Sequence, residues 1–230
     1  MHYQAKKLSI FTGHYGSGKT TAAIAFALWL SAQGKPVTIV DLDLVNPYFR
    51  TTDCQVLLEN HRIQLIGPEY AGTNLEAVFI TPAIHAIFRQ HDRYIILDVG
   101  GDDAGATALG GFAEQIMERQ YDMFFVVNQY RMMSHTPTDA TKLLSEIESS
   151  ARLRATGLVN SSNLGDETTA DDIVASRQYI HDIAKAVGLP IAFTCVRFGI
   201  EDISSENILK VENYTILPWR KSSHEEMERG

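Results

Sequence analysis

The sequence predicts an α/β fold in which a mostly parallel central β-sheet carries helices on both faces. Apolar runs alternate with amphipathic segments from end to end, which is the pattern of strands joined by covering helices. The second observation is chemical. Aspartates stand at the ends of two apolar runs, Asp41 and Asp43 after Val37–Val40 and Asp98 within Tyr94–Val99, and the carboxyl edge of a parallel sheet is where such groups collect. Thirdly, no internal repeat, low-complexity linker or composition break interrupts the 230 residues. One domain over 1–230 is therefore expected, long enough for a single well-buried core.

In chain order, Lys7–Thr12 (KLSIFT) reads as a first strand, and Lys19–Ala32 as a helix ended by Gly34 and Pro36. Val37–Val40 is a second strand, Ile63–Ile66 a short third, and Leu75–Gln90 a helix. Tyr94–Val99 (YIILDV) is the strongly apolar central strand, and Met123–Val127 another. A helix over Thr138–Ser149 leads to a strand at Thr156–Val159. Asp171–Val187 is helical: Thr169 and Asp172 have the spacing of a capping box, and Gly188 and Pro190 stop it. Ile191–Val196 is the last clear strand; beyond it only Tyr214–Leu217 is a short apolar run, and the tail from Arg220 is polar.

Composition narrows the function. With 45% hydrophobic and 21% charged residues the chain is an ordinary globular protein, not a disordered one. The formal charge of -8 and the absence of a basic stripe argue against nucleic acid and anionic lipid as partners. Cys54 and Cys195 form no CxxC pair, which fits a reducing compartment and argues against both a disulfide framework and a zinc site. His85, His135 and His181 show no ligand spacing either. The start has no signal-peptide pattern and no run is long enough to cross a bilayer, so a cytoplasmic location is expected.

Gly13-His14-Tyr15-Gly16-Ser17-Gly18-Lys19-Thr20 satisfies GxxxxGK[ST], between a strand and a helix. Glycines let the backbone turn tightly enough to aim successive N–H groups at phosphate oxygens, and the helix adds its positive end. Lys19 is expected to reach the β and γ phosphates, the Thr20 hydroxyl to ligate Mg²⁺, and Thr21 to join the cradle. Asp98, closing an apolar strand before Gly100 and Gly101, has the Walker B arrangement, a carboxylate near the metal. Those glycines would let the loop respond to a γ-phosphate. Asp102 and Asp103 have a second reading as loop solubility charges. The fold these signals point to is that of the P-loop NTPases.

The loop GHYGSGKT, the carboxylates of DLDLVNPYFR and the segment ILDVGGD resemble, in order and spacing, the MinD/ParA-like nucleotide-binding proteins, the CobQ/CobB/MinD/ParA group, which are ATPases of the deviant-Walker branch of P-loop proteins. The resemblance covers roughly residues 7–200. It implies an ATP-driven switch: Lys19 and Thr20 hold triphosphate and Mg²⁺, and Asp43 sits in the first switch, near the metal, positioning water. Asp98 with Gly101 then forms the second switch. Asn160 in GLVNSSN matches the asparagine with which that family reads adenine, though a turn residue is its other reading.

Family members that hydrolyse ATP across a dimer carry a second lysine after the first loop glycine; here it is His14. A neutral imidazole is not a fixed cation, so a homodimer with trans-activation does not follow from the resemblance. His14 itself, or Arg50 in NPYFR as an arginine finger, are the candidates to supply the charge. Asn128-Gln129-Tyr130-Arg131 follows a strand on the same edge and lines the site, contacts a partner or packs loops. The tail WRKSSHEEMERG lacks a sustained apolar face for membrane cycling. Three functions stay open. The first is an ATPase switch (an ATP hydrolase) with an unidentified protein partner. The others are an ATP-dependent amidoligase or kinase and a nucleotide-dependent binding module with negligible turnover.

Overall fold

A computed structural model describes residues 1–43, 51–67, 82–201, 203 and 207–214. Among these residues eight strands form one sheet in the order β3-β2-β4-β1-β5-β6-β7-β8. They are β1 (Leu8–Thr12), β2 (Val37–Leu42), β3 (Gln64–Ile66), β4 (Tyr94–Val99), β5 (Tyr121–Val127), β6 (Gly157–Asn160), β7 (Ile191–Arg197) and β8 (Ile208–Val211). Every neighbouring pair is parallel, so the mostly parallel expectation becomes an all-parallel sheet. The helices are α1 (Lys19–Ser31), α2 (Gln55–Asn60), α3 (Pro82–Ile87), α4 (Asp103–Gly110), α5 (Ala113–Met117), α6 (Pro137–Ala151) and α7 (Ala170–Val187).

Strand alternation divides the core into two faces. Leu8, Ile10, Leu97, Val99, Phe125 and Val127 point into a cluster shared with α4, α5, α6 and α7. Phe11, Ile39, Ile96, Phe124, Val126 and Val159 point the other way, onto α1 and α2. On that second face the aromatic rings interlock: Phe124 lies 5.2 Å from Phe11 and 5.3 Å from Phe193 between ring centroids, and Phe26 stacks on Phe193 at 5.8 Å. Helix α1 is apolar almost all round and buries four alanines, Ala22, Ala23, Ala25 and Ala27, which is what a helix packed tightly on the sheet centre requires.

The predicted strands all form, some with longer ends: β2 runs on to Leu42, so that Asp41 lies inside the strand and Asp43 just past it. The capping box at Thr169 is present, with both reciprocal hydrogen bonds. Helices α2, α4 and α5 and strand β8 were not in the sequence reading. Helix α4 escapes it because DAGATALG is a poor helix sequence on propensity, and its glycines answer to packing instead. A Cβ on Gly105 would stand 2.5 Å from the Gly100 carbonyl oxygen, and one on Gly110 would stand 2.6 Å from that of Ser150. Asp102 caps α4, its side chain accepting from the Gly105 N–H at 2.8 Å, so its carboxylate has a structural task. Of the helix expected over Leu75–Gln90, Pro82–Ile87 forms; residues 75–81 lie outside the described residues, as do Asn46–Arg50 and most of Tyr214–Leu217.

This topology fixes where a ligand can sit. Strand β1 is central, flanked by β4 and β5, and the chain leaves it in opposite directions on either side. A crevice opens at the carboxyl ends at such a switch point. Replacing Phe124, fully enclosed by aromatic neighbours on β1, α1 and β7, with alanine is expected to destabilise the fold by about 3–5 kcal/mol; a urea-denaturation midpoint equal to wild type would refute the central role given to this ring cluster.

Candidate functional site

The loop after β1 returns over the end of β5 before entering α1. Gly13, Gly16 and Gly18 have φ of 146°, 74° and 93°, all in the region that favours glycine. Space is as limiting as conformation: a Cβ at Gly13 would lie 2.3 Å from the Val126 carbonyl oxygen, and one at Gly18 would lie 2.4 Å from the Ser161 hydroxyl. Gly18 is the N-cap of α1, so the free N–H groups of the first turn face the loop's interior. Thr20 and Thr21 follow in that turn and line the cleft. The Ser17 hydroxyl is buried with no hydrogen-bond partner.

Lys19 is buried, and its Nζ donates to the His14 carbonyl oxygen at 3.0 Å. Burial pulls its pKa below the ordinary lysine value, while the charges of Asp98, Asp43 and Asp102 push it back up. Strand alternation and register deliver those acids. Asp41 on β2 is paired with Asp98 on β4, and Asp98 with Phe11 on β1, so both carboxylates lie on the α1 face of the sheet. Asp41 Oδ1 accepts from the Asp43 N–H at 3.0 Å, a turn that presents the buried Asp43 to the cleft.

Asp98 is 1% exposed. Its Oδ2 accepts from the Thr51 hydroxyl at 2.7 Å, and its Oδ1 is buried without a partner. Burial pushes its pKa up to about 6, against hydrogen bonds from Thr51 and Thr20 and the Lys19 charge. The residues suit a hard divalent cation: an orphaned carboxylate oxygen, the Thr20 hydroxyl and Asp43 are all oxygen donors. Among the described residues no group of three or more His, Cys, Asp or Glu side chains could hold a metal ion, so such a cation would complete its shell with phosphate and water oxygens. Thr51 is a site residue the sequence reading missed. Its only signal there is its place soon after the DLDLVNPYFR segment.

The loop after β4 is packed directly on the phosphate-type loop. A Cβ on Gly101 would stand 2.4 Å from the Tyr15 nitrogen and 2.7 Å from Lys19 Nζ, and one on Gly100 would stand 3.1 Å from Asp43 Oδ1. Backbone touches backbone here, and no side chain fits between.

The cleft has a volume of about 690 Å³ and runs from Lys19 and Asp43 past Ser161 and Asn163 to Arg197, a size that suits a nucleotide-sized molecule. Asn160 ends β6 beside it, but its amide is used inside the protein: Nδ2 donates to the Ser176 hydroxyl at 2.8 Å, and Oδ1 accepts from the Ser162 N–H at 3.1 Å. The adjoining Ser161, Ser162 and Asn163 form the wall that faces the cleft. His14 is half-buried, with Nδ1 2.9 Å from the Tyr15 carbonyl oxygen, so its ring is folded onto its own loop. Arg50 lies outside the described residues. Arg131, from the loop after β5, lines the cleft and donates from Nε to the Gly16 carbonyl oxygen at 3.0 Å. No helix among the described residues is long and apolar enough to cross a membrane.

Residues 8–163 match the family model CbiA, the CobQ/CobB/MinD/ParA nucleotide binding domain. No curated protein matches the chain in sequence. Among solved structures it is similar to the cell division protein FtsY from Thermotoga maritima, with 19% identity, a TM-score of 0.55, and coverage of 85% of this chain and 63% of that one. It is also similar to the signal recognition particle 54 kDa protein from Aeropyrum pernix K1 in complex with GDP, with 15% identity, a TM-score of 0.54, and coverage of 83% and 41%. A third is the signal recognition particle receptor FtsY from Elizabethkingia anophelis in complex with GDP, at 15%, 0.53, 85% and 60%. At these identities the likeness is one of fold, and the chain spans less than two thirds of the length of each.

Asp98 gives a pH signature in the ligand-free protein. Its folded pKa is above the ordinary 3.8, so its contribution to stability is fully present below 3.8 and is lost as pH rises through about 6. The loss is on the order of 3 kcal/mol. Asp98→Asn keeps an acceptor for Thr51 without the charge, and its melting temperature relative to wild type is expected to rise from about pH 4 to about pH 6 and to level off above that. A difference that is flat with pH, measured by calorimetry without nucleotide, would contradict the burial of a charged Asp98.

Proposed function

The chain belongs to the CobQ/CobB/MinD/ParA nucleotide-binding domain family, and from that premise we propose that it binds Mg-ATP and acts as a switch whose nucleotide state sets its affinity for a protein partner. The observation that carries this reading is the contact of Gly101 with the Tyr15 nitrogen and Lys19 Nζ. A terminal phosphate seated on the loop would be neighbour to Gly101, so its arrival or loss must be felt by the segment that continues, through the Asp102 cap, into α4.

The residue roles follow from position and charge. Lys19 would hold the β and γ phosphates, which add countercharge to a lysine that burial otherwise disfavours. Mg²⁺, held by the Thr20 hydroxyl with Asp98 and Asp43 close by, would neutralise phosphate charge in a pocket already rich in carboxylates. Asp43, on its turn from Asp41, orients water. Thr51 keeps one oxygen of Asp98 occupied and so leaves the other for the metal's water. Adenine would sit against the wall pinned by Asn160. The GDP in the structures of the signal recognition particle protein and its receptor makes guanine the base to test against it. With His14 turned onto its own loop, no fixed cation stands at that position, and basal turnover is expected to be slow.

Titration of wild type with ATP and GTP, with and without Mg²⁺, is the direct test. Tighter binding of ATP, dependent on Mg²⁺, is expected; Lys19→Ala is expected to weaken it by about a hundredfold or more, from the loss of a charged contact with the phosphates. In wild type, amide exchange of residues 101–110 should differ between the ATP and ADP forms, and Gly101→Ala, whose Cβ cannot fit against the Tyr15 nitrogen, should lose that difference. Lys19→Ala that binds ATP as wild type does would refute nucleotide binding at this loop, and preference for GTP would refute the choice of base.

A further inference from the structure

The segment from Asn128 to His135 is held more firmly than an ordinary surface loop. Asn128 is fully buried; its Oδ1 accepts from the N–H groups of Tyr130 at 3.0 Å and Asn163 at 3.3 Å, and its Nδ2 donates to the Asn163 carbonyl at 3.3 Å. The Ser162 hydroxyl accepts from the Gln129 N–H at 3.0 Å. Ser134 Oγ donates to the Asn128 carbonyl at 3.0 Å, and the Ser134 carbonyl in turn accepts from the Tyr179 hydroxyl of α7. The Tyr130 hydroxyl donates to the Asp172 carbonyl at 2.8 Å, at the start of the same helix. The loop is thereby tied to both the β6 loop and α7.

What this framework holds out is exposed: Arg131, followed by Met132 at 89% exposure. Long cations on such loops are commonly solvated, with their side-chain freedom intact. Arg131 instead lies flat on the phosphate loop. Its Nε donates to the Gly16 carbonyl, and its Nε, Cδ and Cζ lie 3.4, 3.7 and 3.7 Å from where a Cβ on Gly16 would be. Among the described residues the guanidinium has no other hydrogen bond and no ion pair, so both Nη groups are left to a ligand. Three carboxylates already oppose Lys19, which makes a second cation valuable to an incoming polyphosphate.

We propose that Arg131 is a phosphate ligand acting in cis, anchored through Nε on the Gly16 carbonyl so that its Nη groups meet the polyphosphate chain of the bound nucleotide. The inference rests on the nucleotide reading above. A guanidinium suits this arrangement because its planar fork can bond a fixed acceptor with one edge and a phosphate with another. Lysine carries its donors on one flexible point charge and lacks that fixed fork.

Calorimetric titrations of wild type, Arg131→Ala and Arg131→Lys with ATP, GTP, their monophosphates and inorganic tripolyphosphate test it. Arg131→Ala is expected to weaken the triphosphate that binds, and tripolyphosphate, by about tenfold, while leaving the corresponding monophosphate within about twofold; Arg131→Lys should recover only part of the loss. Thermal melts of the ligand-free variants should match wild type, since the side chain is exposed. An unchanged triphosphate affinity in Arg131→Ala, an equal loss for mono- and triphosphate, or full recovery by lysine would each overturn the assignment while nucleotide binding stands. Wild type that binds none of these compounds would overturn the nucleotide reading itself.

Discussion

Everything at the carboxyl edge of this sheet depends on keeping one buried ammonium group, Lys19 Nζ, charged without water. Its own loop offers a carbonyl at 3.0 Å, and Asp98, Asp43 and Asp102 supply opposing charge. Removing a lysine from water is costly unless it is paired and hydrogen-bonded. That requirement explains the crowding of acids around it, and the acids in turn require care: Asp98 is itself raised by burial. Neither charge is comfortable alone. The ligand-free site is thus a balance of desolvated charges, which an anionic phosphate paired with a divalent cation could enter without changing the local sum greatly.

The backbone makes that balance geometrically possible. Gly13, Gly18 and Gly101 occupy points where a Cβ would come within about 2.4 Å of another chain segment, well inside ordinary van der Waals contact. The first two bring the loop against β5 and the β6 loop; the third brings the β4 loop against the first. Four strand ends are joined in this way through backbone and short polar side chains. A movement of the Gly101 segment therefore cannot be absorbed by a side-chain rotation and must pass into the Asp102-capped helix behind it.

Much of this was legible in the sequence because it depends on local rules. The loop Gly13–Thr20 announces itself through glycine spacing, Asp98 through its position closing an apolar strand, and α7 through its capping box. What escaped depends on contacts distant along the chain. Helix α4 has glycines placed by Gly100 and Ser150, not by helix propensity. Thr51 matters because of a carboxylate 47 positions away. Strand β8 is four residues long and joins the sheet only at its edge beside β7. For Asn160 the sequence correctly placed the residue at the edge, but side-chain direction was set by Ser176, on a helix not yet folded against it.

Arg131 shows the same limit from the other side. Read along the chain, NQYR offered lining the site and packing loops among its readings, and the structure makes these one function. The buried amide of Asn128, together with Tyr130, Ser134 and Tyr179, packs the loop; the packing is what sets the arginine on Gly16. An arginine on a free loop would have to give up rotamer entropy whenever it met a ligand. Here much of that ordering has already been met by the fold, through the α7 and β6 contacts. The His14 position, which lacks a fixed cation, and the Arg131 position, which holds one, lie on two flanks of the same five-residue arc of loop from Gly13 to Ser17. Positive charge has not been lost from this site so much as supplied by a neighbouring loop of the same chain, and a charge supplied in cis does not need a second subunit to bring it.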